Sequence, residues 1–325
     1  AAGSPRTRIR PPLHAWDLVA QDMASSELAL HQMLGSHTDE IRGAGDYLAA
    51  AGGKRIRPLL TALGARAAGV EGDLSRLMCV GELIHLGSLL HDDVVDDAAA
   101  RRGKPAAQHV YGNALVILTG DFCLARGVLL ASEQGGHACV SGLAEAVLAM
   151  SEGEVLQLRR AGRLDTTREQ YLDIIDRKSA ALIAWCSAVG AHVLNDAGLA
   201  EGMEAFGRSV GVAFQITDDV LDYGGLQRQT GKGIGKDLRD RKLTLPLLLA
   251  MERDPGLREA LASPPTEESL STLVERVRAT GALEASLVEA QRHVEQALVH
   301  LQVLPPSTYR AALEDLARYL ADRVS

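Results

Sequence analysis

Aromatic residues are nearly missing from this chain: Trp, Tyr and Phe together make up 3 % of its 325 residues, although 46 % of them are hydrophobic. Sheets lean on aromatic and β-branched side chains, whereas an apolar complement drawn mostly from Ala and Leu favours helix. Cysteine is scarce as well. The four that occur, Cys79, Cys123, Cys139 and Cys186, are scattered through apolar or small-residue surroundings with no CxxC pair. That spacing argues against a zinc site or a disulfide framework, and it reads as buried free thiols in a reducing cytoplasm. Positive charge is also in deficit, with 34 Lys and Arg against 42 Asp and Glu and a net charge of −8. A nucleic-acid partner, which requires a basic surface, is therefore not expected. No uninterrupted run of about 18 apolar residues is found, so no membrane span is expected. The closest stretch, LVILTGDFCLARGVLLA, is broken by Asp121 and Arg126. Arg6, Arg8 and Arg10 near the N-terminus lead into no apolar stretch, so we read a disordered tail over residues 1–12 and no signal peptide.

What is present is helical periodicity. From residue 13 onward apolar positions recur at three- and four-residue spacing, and strand-like alternation is nearly absent. This predicts one all-α domain over residues 13–325, built from roughly ten or more helices. DTTREQYLDIIDRKSAALIAWCSAVG opens with what reads as a capping box, Thr166 as N-cap and Glu169 three residues on. Leu172, Ile175, Ala180 and Ile183 then follow one helical face. SPPTEESL and LPPSTYRAAL each read as a loop that starts a fresh helix. GGLQRQTGKGIGKDLRDRKLTLP carries five glycines and six basic residues and reads as a mobile cationic flap. It is not a P-loop, because Gly231-Lys232 is followed by Gly233 and no strand precedes it.

The chemistry concentrates at the ends of two apolar helices. DLSRLMCVGELIHLGSLLHDDVVDD is apolar on nearly every face until it ends in Asp92, Asp93 and Asp96, with Arg101 and Arg102 just beyond. Asp92 and Asp96 stand four apart, so their carboxylates leave one side of the helix a turn apart. Two such anions stay ionised in a buried setting only with cations beside them. One DDxxD alone would more often be a helix end emerging into solvent. Here the pattern recurs in AFQITDDVLDYGG as Asp218, Asp219 and Asp222. Oxygen-only donors point to a hard cation, Mg²⁺ or Mn²⁺, which keeps waters and shares its shell with substrate phosphates. Lys54, Arg55, Arg57, Lys178, Lys232 and Lys242 supply the positive charge a second phosphorylated ligand needs, through arginine forks and lysine point charges.

At this point the chain resembles the trans-isoprenyl diphosphate synthase (polyprenyl synthetase) family, of long-chain type. The resemblance runs from about Leu28 to the C-terminus. It is carried by GGKRIRP, ELIHLGSLLHDDVVDDAAARRG, LTGDFCLA, GEVLQL, DRKSA, FQITDDVLDY and GKGIGKDLRDRKLTLP. It implies the isoprenoid synthase fold, an all-α bundle around a deep central cavity, usually homodimeric. It also implies a cytoplasmic prenyltransferase that condenses isopentenyl diphosphate with an allylic diphosphate and passes a lipid product on toward a membrane. By the same resemblance, Asp92, Asp96 and Asp218 would coordinate Mg²⁺, supported by Asp93, Asp219 and Asp222. Arg101, Lys178, Lys232 and Lys242 would grip the allylic diphosphate. Lys54, Arg57, His85 and Arg102 would hold isopentenyl diphosphate. Ser179 and Gln215 would line the reacting region, and His91 is left as structural. Ser179 stands where the family more often has Thr, and Arg241 where Gly is common.

Product length is read from the helix carrying Asp92. Ser88, Gly87, Ile84, Gly81 and Val80 line its expected wall, and none is aromatic, whereas short-chain members block that wall near its top with Phe or Tyr. With a wall about 18 Å long at about 1.5 Å per residue, we expect a product of about C30 to C50, with geranylgeranyl diphosphate as the alternative. A terpene cyclase would lack GGKRIRP, and a non-catalytic subunit of a heteromeric synthase would usually have lost aspartates.

Overall fold

The computed structural model describes residues 13–49, 52–101, 104–224 and 235–322. The expected tail over residues 1–12 and the site candidates Arg102 and Lys232 lie outside these residues. Sixteen α-helices run through the described chain: α1 (Leu13–Leu18), α2 (Ala20–Met33), α3 (Asp39–Ala49), α4 (Ile56–Ala68), α5 (Ser75–Val95), α6 (Ala107–Tyr111), α7 (Asn113–Arg160), α8 (Arg168–Ile175), α9 (Ala181–Val193), α10 (Ala197–Leu221), α11 (Lys236–Arg239), α12 (Leu245–Arg253), α13 (Pro255–Ala260), α14 (Glu267–Ala279), α15 (Ala282–His300) and α16 (Thr308–Asp322). The only sheet among the described residues is a two-stranded hairpin, β1 (Ala100–Arg101) and β2 (Lys104–Pro105). The all-α reading therefore holds.

Helix α9 is the axis of the bundle. Residues 181–191 are buried on every side, which the sequence ALIAWCSAVGAHV allows because it presents no charge to any neighbour. α4, α7 and α10 surround it. Small residues let these backbones approach: a Cβ on Gly207 of α10 would lie 2.6 Å from Ala184 Cα. α7 is long and apolar enough to cross a membrane by length and composition, Asp121 and Arg126 notwithstanding. In the fold one side of it packs against α5, with Gly120 beneath His91 and Gly127 beneath Ile84. It bends at Gly136, whose φ of +61° is open to glycine and strained for other residues. All four cysteines are buried free thiols, as expected, and burial pushes three of them, Cys79, Cys123 and Cys186, up to about 12.

Two local readings need correction. The capping box sits one residue later than the sequence indicates: Thr167 accepts from the Gln170 backbone, and the Gln170 side chain accepts from Thr167. Thr166 turns its hydroxyl back to donate to the Arg163 carbonyl at 2.6 Å, so it is unavailable as a cap. The single face expected from Leu172 to Ile183 is also interrupted. Asp176–Ala180, the DRKSA segment, forms a π-helical turn between α8 and α9. The extra residue per turn rotates everything after it, and such turns recur where side chains are re-aimed for function. The other two helix starts are found as read, with Thr266 capping α14 and α16 beginning at Thr308.

Candidate active site

α5 stays buried through Leu90 on most of its surface. One stripe, His85, Ser88, Leu89 and Asp92, is only half buried and continues to the exposed Asp96. These positions are spaced by three and four, so they form a single face of α5. Burial raises the pKa of Asp92, with Lys178 opposing and Glu154 reinforcing the rise. Asp96 lies 3.8 Å from the Lys242 ammonium. Asp93 points the other way. It is fully buried and ion-paired to Arg101 of the hairpin, and its backbone carbonyl accepts from Gln108 at 2.7 Å. One carboxylate of the expected triplet is thus engaged in anchoring the hairpin, and Arg101 with it.

The second acidic motif ends α10. Asp218 is exposed, while Asp219 is buried. Asp219 accepts from the Tyr171 hydroxyl at 2.7 Å and from the Gln215 amide at 2.8 Å, and Gln215 in turn accepts from the Ser179 hydroxyl at 2.8 Å. Burial, with the neighbouring Asp218 and Asp222 adding to it, pushes Asp219 up to about 7 in the absence of a cation. Asp222 accepts from the backbone N–H groups of Lys236 and Asp237 and so caps the start of α11. Burial also drives the Asp237 pKa well up, with Asp219 and Asp222 adding to it.

Lys242 joins the two motifs. Burial pulls its pKa down, but Asp96, Asp237, Asp240 and Glu154 outweigh that and the net shift is upward. Lys178 projects from the π-turn to an ion pair with Glu154 of α7. The turn is pinned on two sides: a Cβ on Gly153 would lie 2.6 Å from the Lys178 nitrogen, and one on Gly211 would lie 2.6 Å from Ala180 Cα. Gly153→Ala or Gly211→Ala forces that turn to shift. Each should lower stability by about 1–3 kcal/mol in chemical denaturation and reduce kcat, since Lys178 and Ser179 move with the turn.

A cavity of about 200 Å³ gathers Lys178, Ser179, Gln215, Asp219 and Lys242. Tyr171, Gln157, Asp237 and Thr244 also line it, and sequence reading assigned none of these a role. GEVLQL was a signal for Gln157 and Glu154; nothing local marked Tyr171. No group of three His, Cys, Asp or Glu side chains among the described residues forms a ready metal cage. The candidate donors are all carboxylates at the ends of α5 and α10, with Lys178 and Lys242 near both sets. Such a set suits a hard cation that completes its shell with water and substrate phosphate.

Farther down α5, His85 stands seven residues before Asp92, about 10 Å along the helix. Lys54 and Arg57 flank Arg55 at the start of α4. The Arg57 guanidinium is deep enough that burial lowers its pKa, with Glu82 opposing. His91 Nε2 lies 3.1 Å from the Ile117 carbonyl, to which its ring N–H donates.

Arg241 makes its contacts just beyond the ends of two helices. It holds φ +53°, its backbone carbonyl accepts from Gly162, and its guanidinium donates to the Gly162 and Leu261 carbonyls. It ties the end of α7 to α13 and points away from Lys242's partners. Residues 225–234 of the glycine-rich segment lie outside the described residues; its second half forms α11.

The small residues of the supposed product wall also need separating. Gly87 packs on α7, where a Cβ would lie 2.9 Å from the Gly120 carbonyl. Gly81 lies under Cys186 of α9, and Ile84 and Val80 are fully buried. Only Ser88 lies on the half-buried stripe.

The polyprenyl synthetase family model matches residues 38–277. The chain is 38 % identical to the octaprenyl diphosphate synthase of Escherichia coli, over 94 % of this chain and 97 % of that one. It is 35 % identical to the geranyl-diphosphate-specific all-trans-nonaprenyl-diphosphate synthase of Rhodobacter capsulatus, over 94 % and 96 %. The crystal structure of a polyprenyl synthase from Caulobacter crescentus, complexed with calcium and isoprenyl diphosphate, superposes with a TM-score of 0.91 at 38 % identity, over 98 % of this chain and all of that one. A helical bundle with a DDxxD at the end of each of two helices, matched over nearly its whole length, places the chain in the polyprenyl synthetase family: it is a prenyltransferase of the trans-isoprenyl diphosphate synthase type, in the long-chain branch.

Proposed function

We propose that the chain condenses isopentenyl diphosphate head to tail with an allylic diphosphate and repeats the step to a long all-trans product, about C30 to C50. The observation that carries this reading is that Lys178 and Lys242 line one cavity with Asp219 of the second acidic motif while acting on the first, Lys178 on Asp92 and Lys242 3.8 Å from Asp96. Asp92, Asp96 and Asp218 would hold Mg²⁺, or Mn²⁺ in its place. When bound, the ion neutralises the allylic diphosphate and stabilises the charge it carries away. Arg101, Lys178, Lys232 and Lys242 take up the same leaving group, and Asp93 sets where Arg101 can reach. Lys54, Arg57, His85 and Arg102 hold isopentenyl diphosphate, whose alkene attacks the allylic carbon and then loses a proton.

Ser179 and Gln215 face the reacting region with their dipoles. The Gln215 amide is oriented by Asp219, which Tyr171 anchors in turn. No nucleophilic side chain is required. Water, which would otherwise quench the allylic cation, must be kept out of the reacting region. The exposed apolar stripe of α7, with Ile117, Leu118, Val128 and Leu129, supports a homodimer. The buried thiols suit a reducing cytoplasm.

Incubation of the purified chain with Mg²⁺, labelled isopentenyl diphosphate and farnesyl diphosphate, with sizing of the dephosphorylated products, tests the proposal. The expected outcome is a ladder that ends at about C30 or beyond. Termination at C20 would leave the reaction standing and refute the length, with geranylgeranyl diphosphate as the product. Folded protein that makes nothing from any allylic primer would refute the catalytic reading in favour of a partner subunit.

A further inference from the structure

Arg55 sits in the middle of GGKRIRP, between two cations assigned to isopentenyl diphosphate, yet it does not face a ligand. Its backbone is left-handed, φ +49°, in a residue that carries a Cβ. That conformation is disfavoured for a residue with a Cβ, which crowds the following carbonyl oxygen. What holds it there is a set of four donor contacts from the guanidinium. Nε and Nη2 donate to Glu27 of α2 at 3.0 and 2.7 Å, Nη1 donates to Glu82 of α5 at 2.6 Å, and Nη2 also reaches the Ala49 carbonyl at 3.5 Å.

Glu82 is the hub of this arrangement. It is 4 % exposed, inside a helix that is otherwise apolar at that depth. It accepts from Arg55 and is also the main attraction on Arg57, whose Nε is buried without a partner. It stands one turn before His85 on the same helix. A buried carboxylate therefore links the Lys54–Arg57 segment, at the start of α4, to the stretch of α5 that carries His85.

We infer that Glu82, acting through Arg55 and Arg57, is the positioning residue of the isopentenyl diphosphate site. It fixes the left-handed turn at Arg55, on which the placement of Lys54 and Arg57 relative to His85 depends. Its charge also compensates Arg57, so that a guanidinium this deep is held in place before any diphosphate arrives. Glu27 completes the fork from α2. The inference rests on the assignment of Lys54, Arg57 and His85 to isopentenyl diphosphate. It predicts that the two substrates will respond differently, because nothing in the clamp touches Lys178, Lys242 or the acidic motifs.

The test is steady-state kinetics of Glu82→Gln and Arg55→Lys, with each substrate varied at saturating concentrations of the other and of Mg²⁺. Arg57→Gln serves as the reference. Glu82→Gln keeps the shape and removes the charge; Arg55→Lys keeps the charge and removes the fork. Both should raise KM for isopentenyl diphosphate by about tenfold and leave KM for the allylic diphosphate within about twofold. A rise in both KM values together, or in neither, overturns the positioning role while Arg57→Gln still raises KM for isopentenyl diphosphate. If Arg57→Gln leaves that KM unchanged, the underlying site assignment fails and the inference falls with it. Should Glu82→Gln not fold, Arg55→Lys and Glu27→Gln carry the same comparison on the surface side of the clamp.

Discussion

Asp92→Asn lowers kcat by about a thousandfold and leaves KM for isopentenyl diphosphate nearly unchanged. A bound divalent cation supplies several kcal/mol of stabilisation to a departing diphosphate, and loss of one of its carboxylate ligands removes a large part of that, about 4 kcal/mol. Raised Mg²⁺ concentration should recover part of the loss. The adjacent Asp93→Asn separates metal binding from folding. Asp93 is fully buried and ion-paired to the half-buried Arg101, so its replacement removes a charge-assisted contact and should cost about 1–3 kcal/mol of stability. Asp92 behaves in the opposite sense. Its pKa is raised in the fold, so the folded chain binds that proton more tightly than the unfolded one, and Asp92 takes stability away as pH rises through its titration. Without metal, Asp92→Asn should therefore hold or raise Tm at pH 7, and wild-type Tm should climb when Mg²⁺ and an allylic diphosphate are added together. Equal losses of kcat and stability in both variants would show that the two aspartates share one role, against the geometry.

That contrast marks how far sequence carried the reading. The two DDxxD motifs, the apolar helices bearing them and the pairing of Asp92 with Asp96 all follow from local spacing, because residues four apart share a helix face whatever the rest of the chain does. Asp93, one residue on, is turned by 100° into the hairpin, and its partner Arg101 is eight residues away across a turn that spacing does not specify. The π-turn at Asp176–Ala180 was hidden because DRKSA has ordinary helical composition; what singles it out is the pair Gly153 and Gly211, far away in sequence and in contact with it. Arg241 fails to be legible for a similar reason. It stands where Gly is common in the family it resembles, and its left-handed backbone is held by the carbonyls of Gly162 and Leu261, contacts that local sequence does not specify. The Thr166 cap went wrong by one residue because two threonines adjoin, and only the turn at Arg163 decides which hydroxyl is free.

Ser88→Phe should convert a long-chain ladder into one that stops several isoprene units earlier. The effect would be on product identity more than on rate, since the first condensation happens above the new ring. The structure narrows the choice of position. Ser88, His85 and Asp92 share the half-buried stripe of α5, and the Ser88 hydroxyl is satisfied within its own helix by donating to the His85 carbonyl at 2.9 Å. A phenyl ring there projects into the space the growing chain must pass, one turn below the acidic motif. Gly87, which sequence alone would rank with it, lies over the Gly120 carbonyl and Cys123. Gly87→Phe should therefore force α5 and α7 apart and destabilise the fold by about 3 kcal/mol or more, with product length changed only as a by-product. Product chromatography and thermal denaturation of the two variants side by side check this. If Gly87→Phe folds well and shortens the product while Ser88→Phe does not, the chain runs along the α7 side of α5 and the stripe has been assigned to the wrong face. If Ser88→Phe leaves the ladder intact, the growing tail leaves α5 above this point. The seal that Cys186 forms over Gly81 would then be packing between α5 and α9, with no part in setting length.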